Sequence, residues 1–256
     1  LKPYVESQLI LELTGFSKPT STLSFPVLTD HFLKANKNRS KNTQDLYEYV
    51  LRSYNSGKPL PTNPNSRAIF VRTINACWNW GLKTGLIDKA NKLVEDTKGV
   101  ARQRVYSKDE LDLMFNKIQD DDFNRFVKFA YYTGARSGEI RHIQPQNLSD
   151  GSLVAFGKTG RRIIKISTQA STIIAKQSPL WNYSKDYVSH HFKKEVRRLG
   201  IKDARFHDLR RTFGLNLIKQ GMSIYKISKL LGHKSVRTTE QHYAPLLTIE
   251  IEDFEL

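Results

Sequence analysis

Apolar residues recur at helical spacing through most of the chain. In PVLTDHFLKANK, Val27, Leu28, Phe32 and Leu33 share one side. In TQDLYEYVLRSY, Leu46, Tyr49, Val50 and Leu51 do the same, and Thr43 is placed to cap the segment. Residues 26–55 are therefore expected to be helical. GKPLPTNPNS, residues 57–66, is dense in Pro, Asn and Ser and predicts a loop. Residues 67–83 predict another helix, with Ile69, Phe70, Ile74, Cys77, Trp78 and Trp80 available for packing. Cys77 is expected to be a small core residue.

The pattern then breaks. DKANKLVEDTKGVARQR, residues 88–104, is polar and is the natural linker. The expected division is a helical domain over 1–95, a linker over 96–104 and a second domain over 105–256. Ser107, followed three residues on by Glu110, predicts a capping box that opens a helix. FNRFVKFAYYTG predicts a second apolar helix that stops at Gly134. In GSLVAFGKTGRRIIKIS, alternation and the β-branched Val154, Ile163, Ile164 and Ile166 predict a β-hairpin around GKTG. From about Asp186 the chain is helical again, punctuated by Gly200, Gly221 and Gly232. The fold class is mainly α, with a small antiparallel sheet in an α+β second domain.

Charge sharpens this picture. The chain of 256 residues has 41 Lys+Arg against 25 Asp+Glu, a net of +16. Residues 155–237 hold 19 basic and 4 acidic side chains, whereas 1–100 hold 14 and 8. Positive charge concentrated in one stretch favours a polyanion such as DNA or RNA, because phosphate neutralisation releases counterions. A hydrophobic fraction of 39% can build cores and excludes a disordered basic tail. No apolar run is long enough to span a bilayer. One cysteine allows no intrachain disulfide, which points to a reducing compartment, and it allows no multi-cysteine zinc site. The start, LKPYVESQLI, has neither an initiator Met nor a signal pattern, so the sequence is expected to begin inside a longer chain.

Four segments carry candidate chemistry: TGARSGEIR at 133–141, GKTGRR at 157–162, HDLRRTFG at 207–214 and LLGHKSVRTTEQHYAPL at 230–246. Arg136 and Arg210 can clamp the non-bridging oxygens of one phosphate, since guanidinium binds bidentately and stays charged. Lys158, at a hairpin tip, can protonate a leaving oxygen. His207 and His233 can donate hydrogen bonds or move protons near neutral pH. Tyr243 is a candidate nucleophile that needs cationic surroundings to ionise. Glu139 is expected to be structural, ordering Arg136. GKTG is not a P-loop, because the longer Gly-rich frame is missing.

The order Arg136, Lys158, His207 with Arg210, His233, Tyr243 resembles that of the tyrosine recombinases, the family of phage integrases and Xer-like recombinases. The surrounding TGAR-x-GE, GKT, HDLR-x-T, LLGH-x-S and TT before the Tyr match as well. The likeness covers Arg104 to the end and extends more weakly over 20–95, where KNTQDLYEYV and INACWNWGLKTGLID look like the family's core-binding domain. It implies a metal-independent DNA strand transferase that forms a 3′-phosphotyrosyl link, works as a tetramer through a Holliday junction and needs no cofactor. Many members place the Tyr nine residues after the last His. Here that position is His242, a second candidate for handling protons, and Tyr243 follows it in an HYA ending like that of a known subgroup.

Phosphate-contact candidates are Arg161, Arg162, Lys193, Lys194, Arg197 and Arg198, and in the first domain Lys37, Arg39, Lys41, Thr43, Arg67 and Arg72. The histidines from His190 to His242 lack a metal-ligand frame, and no metal is expected. The implied partners are double-stranded recombination sites, further copies of the chain and accessory DNA-bending proteins. The implied setting is cytoplasmic, at the nucleoid. A mobile-element integrase is the first expectation, from the incomplete start and from a 57–66 loop unlike compact Xer proteins; a chromosome or plasmid dimer resolvase is the alternative. The acidic tail 248–256, with Ile249, Ile251, Phe254 and Leu256, is expected to dock on a neighbouring protomer. A rival of another class is a helix-turn-helix regulator built on residues 215–237, without catalysis. Type IB topoisomerases and telomere resolvases are rivals within enzymes.

Overall fold

A computed structural model describes residues 23–149, 151–157 and 160–248. The chain forms two compact units that divide between Ala101 and Arg102.

The first unit is helical. α1 (Phe25–Ala35) starts with a proline in its first turn, and α2 is Lys41–Asn55. The residue at the α2 N-cap is Ser40, not Thr43. Ser40 is the last extended residue, and Thr43 lies inside the first turn with its hydroxyl 2.9 Å from that of Ser40. α3 (Pro64–Thr84) begins inside the expected loop. Asn63 caps it by accepting from the backbone N–H groups of Asn65 and Ser66, and Pro64 fits the first turn, where a missing N–H costs nothing. Leu28, Phe32, Val50, Leu51, Ile74 and Cys77 are buried together, and Phe25 stacks on Trp78 at 4.5 Å between ring centroids. The chain beyond α3 is strapped back onto it. Asn75 holds Leu93 by two hydrogen bonds of 2.9 and 3.0 Å, while Arg67 pairs with Glu95 and Arg72 donates to the Thr97 carbonyl.

In the second unit, Ser107 and Glu110 form the expected capping box and start α4 (Lys108–Lys117). α5 (Asp121–Thr133) is N-capped by Asp120 and closed by Gly134. It lies at the centre of the core: Phe123, Phe126 and Phe129 are fully buried and meet Trp181, Phe192 and Phe206. A short α6 (Ser137–Ile140) leads to an antiparallel sheet, β1 (Leu148–Ser149), β2 (Ser152–Gly157) and β3 (Gly160–Lys165), in that spatial order. Leu153, Ala155 and Ile164 face the core, whereas Phe156 and Ile163 face out. The sheet is antiparallel and small, and the rest is helical, so the fold class is mainly α with an α+β second unit.

α7 (Thr168–Ala175) has no counterpart in the sequence reading. Its β-branched TQASTIIA masks it, and Ser167, which accepts from the Ala170 N–H, sets its start. α8 (Lys185–Arg198), α9 (His207–Lys219), α10 (Ile224–Leu231) and α11 (Val236–Thr248) complete the unit. Leu215, Ile227, Leu231, Tyr243 and Leu246 bury one another where the last three helices meet. Pro245 interrupts α11 and leaves the Gln241 carbonyl without its helical donor. No helix among the described residues is long and apolar enough to cross a membrane. Replacing Ser107 with Ala should lower the stability of the second unit by about 1 kcal/mol, read as a lower denaturant midpoint at unchanged slope.

Candidate active site

Strand alternation places the first anchor. Ala155 pairs with Arg162 and Phe156 with Arg161, so Arg162 turns inward while Arg161 stays exposed. Arg162 donates to the buried carboxylate of Glu139 through Nε at 2.8 Å and Nη2 at 2.7 Å, and through Nη1 to the Leu230 carbonyl at 2.9 Å. Glu139 also accepts from Arg136, at 2.7 Å from its backbone N–H and at 3.0 Å from Nη1. Burial works to raise the Glu139 pKa, but the Arg162 hydrogen bonds and charge, with help from Arg136, overcome it and hold the pKa at about 2. Arg162, a candidate phosphate contact in sequence, is thus committed to an internal partner. Its side chain runs so close to Gly232 that a Cβ there would overlap the Arg162 Cδ, and that glycine also takes a left-handed φ of 62°.

Arg210 is buried on α9, one turn from His207. Its Nη1 donates to the Gly134 carbonyl at 2.6 Å and its Nη2 to the Leu231 carbonyl. Both acceptors lie at helix C-termini, where unpaired carbonyls and the dipole favour a cation. Burial and the like charges of Arg136 and Arg162 lower its pKa, opposed by Glu139 and Tyr243. A guanidinium still remains charged at neutral pH.

The imidazoles sit in this field. His207 keeps an open face on the floor of a cleft, yet crowding by the protein, then Arg210, Arg211 and Arg136, lower its pKa to about 4. His233 is half-buried and reaches about 4 through desolvation, Arg210 and His242. Its Nδ1 lies 2.9 Å from the hydroxyl of the fully buried Thr239. His242 is lowered by burial, Arg211 and Arg210, and its ring centroid is 6.2 Å from that of His233. At neutral pH these imidazoles are therefore uncharged.

Tyr243 is only 3% exposed. Its hydroxyl packs against Gly214 of α9, where a Cβ would overlap it. Burial pushes the phenol up to about 12, and Arg210 and Arg211 pull it down. Arg136, His207, Arg210, His233 and Tyr243 thus come to one region within reach of each other's fields, whereas Lys158 lies outside the described residues. The expected tail docking lies outside them too, apart from Thr248 at the end of α11.

The cleft, about 1320 Å³, opens on Arg136 and His207 and is lined further by Lys193, Arg197, His142 and Lys185. α8 divides its basic residues by face: Lys193 and Arg197 enter this cleft, Lys194 lines a separate recess with His190, and Arg198 is held by Glu195 at 2.7 Å. Spacing of four along a helix carries that signal. Arg211 and Gly214 lie in the HDLRRTFG segment and Thr239 in the TT before Tyr243, but their individual contacts have no signal in sequence, and His142 lies just outside the segments that carry candidate chemistry. In the first unit, Lys41 pairs with Asp45 at 2.8 Å, Arg39 Nε lies 3.4 Å from Asn36 Oδ1, and the carbonyls of Lys37 and Arg39 accept from Gln44. Arg67 and Arg72 face the strap described above.

Residues 165–248 match the model of the phage integrase family. The tyrosine recombinase XerC of Staphylococcus aureus (strain bovine RF122 / ET3-1) is 21% identical over 208 residues, 71% of this chain and 70% of that protein. Among solved structures, a lambda integrase (75–356) dimer bound to a COC′ core site has a TM-score of 0.73 at 18% identity, covering 90% of this chain and 98% of that one. A lambda integrase tetramer bound to a Holliday junction gives 0.72 at 17%, covering 93% and 84%.

The Glu139 pair predicts an acid-labile fold. A carboxyl held at about 2 against an ordinary 4.5 stabilises the native state fully above 4.5, and that contribution is lost as pH falls through about 2. Its size is at most about 3 kcal/mol. Glu139→Gln should flatten this part of the stability profile and cost roughly 3–5 kcal/mol at pH 7, since Arg162 is then buried unpaired. Denaturant unfolding from pH 2 to 7 measures both.

Proposed function

We propose that the chain is a tyrosine recombinase, a site-specific DNA recombinase, that Tyr243 is its nucleophile and that it works through a 3′-phosphotyrosyl intermediate. The observation that carries this reading is the convergence of buried Arg210 and Tyr243 with the half-buried Arg136, in a field with more cations than carboxylates. Such a field is prepared for a group of charge −1 or more negative.

In the proposed reaction the two guanidinium groups hold the non-bridging oxygens of the scissile phosphate. The Tyr243 oxygen attacks phosphorus, the bond to the 5′ oxygen breaks and a phosphotyrosyl bond forms. The phenolic proton passes to a neutral imidazole, His207 or His233; pKa values near 4 leave both rings unprotonated at neutral pH, and the negative charge of the bound phosphate raises their basicity for the transfer. Lys158 supplies a proton to the departing 5′ oxygen. Attack by the 5′-hydroxyl of the partner strand reverses these steps, so the bond energy is retained and no cofactor is consumed.

The partner is double-stranded DNA, received at the cleft through Lys193 and Arg197 among others. A tetramer on a junction is the assembly, by likeness to the lambda integrase complex. The finer reading is a mobile-element integrase, distinguished from a dimer resolvase by recombining two dissimilar sites in place of two copies of one.

On a nicked suicide substrate the wild type should give an SDS-resistant protein–DNA band. Tyr243→Phe should bind the same DNA and give none; a band from that variant overturns the assignment of the nucleophile, and none from the wild type favours the regulator reading. Arg210→Ala, checked for folding, should slow adduct formation about 10²–10³-fold. Gly214→Ala should slow it at least tenfold with DNA affinity kept, because the new methyl displaces the phenol. Helix propensity alone would favour that alanine by about 1 kcal/mol, so lost activity without lost helix isolates the contact.

A further inference from the structure

The segment by which the chain enters the second unit lies along α9. Its alternate residues face that helix or the turn before it. Tyr106 donates its backbone N–H to Thr212 Oγ1 at 2.9 Å and its hydroxyl to the Arg205 carbonyl at 2.8 Å. The Arg104 carbonyl accepts from Arg211 at 3.3 Å. Arg102, the first residue of the unit, makes the densest contact. Its Nε and Nη2 reach the two oxygens of Asp208 at 2.9 and 2.8 Å, and its Nη1 reaches both oxygens of Asp203 at 2.8 and 2.9 Å. Its Nη2 also donates to the Asp203 carbonyl.

Asp208 is 1% exposed and stands directly after His207, two residues before Arg210. It also accepts from Arg211 Nη1 at 2.9 Å and from the Arg205 backbone N–H at 2.9 Å. A buried carboxylate with four donors has one orientation, and the first turn of α9 shares it. Asp203, the other end of the fork, takes a φ of 45°, a left-handed conformation that residues with a Cβ rarely adopt. Arg102 binds its carboxylate and its carbonyl together.

We propose that Arg102 is a positioning residue: by clamping Asp208 to Asp203 it fixes the first turn of α9, and with it His207 and Arg210, to the segment that enters the unit. This inference rests on the reading of His207 and Arg210 as parts of the recombinase centre. Removing the fork would leave Asp208 buried with half its donors gone, and the turn would shift to find others. A lysine cannot replace it, because one ammonium cannot span two carboxylates bidentately.

The test compares full-length wild type, Arg102→Ala, Arg102→Lys and Arg104→Ala on the suicide substrate at saturating protein, with DNA affinity and thermal midpoint measured in parallel. Arg104, in the same segment, binds Glu110 and is not among the donors to Asp208, so it controls for general loosening. Arg102→Ala should slow adduct formation 10- to 100-fold while its affinity changes less than threefold, and Arg102→Lys should recover only part of the rate. Arg104→Ala should lower the midpoint with the rate retained. A rate for Arg102→Ala no lower than that of Arg104→Ala, or full recovery by lysine, overturns the proposal. Adduct formation by the wild type confirms the underlying reading in the same experiment; its absence would overturn that reading instead.

Discussion

One buried carboxylate, Glu139, lets two guanidinium groups approach each other in the second unit. Like charges this close repel by several kcal/mol at the effective dielectric of a protein. The carboxylate offsets that repulsion for Arg136 and Arg162 together, which ties β3 to the turn after α5. Arg210 is anchored differently, on the carbonyls of Gly134 and Leu231. It therefore keeps its positive field without a bonded counterion. The site combines two ways of burying a cation: one neutralises the charge, and the other leaves it available.

The same field sets the protonation of every group around it. Imidazoles beside these cations stay uncharged in neutral solution, while the phenol of Tyr243 feels burial in one direction and guanidinium charge in the other. An arriving phosphate reverses much of this balance, since its negative charge raises the imidazole pKa values and offsets the repulsion among the arginines. Ligand binding and proton affinity are consequently linked at this centre.

Much of the fold was legible because its elements carry local marks. Ser107 and Glu110 announce a helix start, and the phenylalanines of α5 recur at a period that only a buried helix face explains. α7 carried too many β-branched residues to be seen, and the start of α3 was hidden in a run of prolines that looks like pure loop. Arg136, His207, Arg210, His233 and Tyr243 were recognisable by order and neighbouring text. The partners of the basic residues were not. Arg162 and Arg161 are equivalent in a list of charges, and strand alternation alone separates them. Arg67 with Glu95, and Arg102 with Asp208, are contacts across long stretches of sequence that no spacing rule connects.

Pro245 sits two residues beyond Tyr243 in α11. The missing peptide donor removes one rung from the ladder, and Leu246 and Leu247 of the final turn pack on the apolar cluster that buries Tyr243. Contact between hydrocarbon surfaces has little angular preference. The turn that follows the phenol is thus seated by shape and apolar contact where a regular helix would use a directional bond.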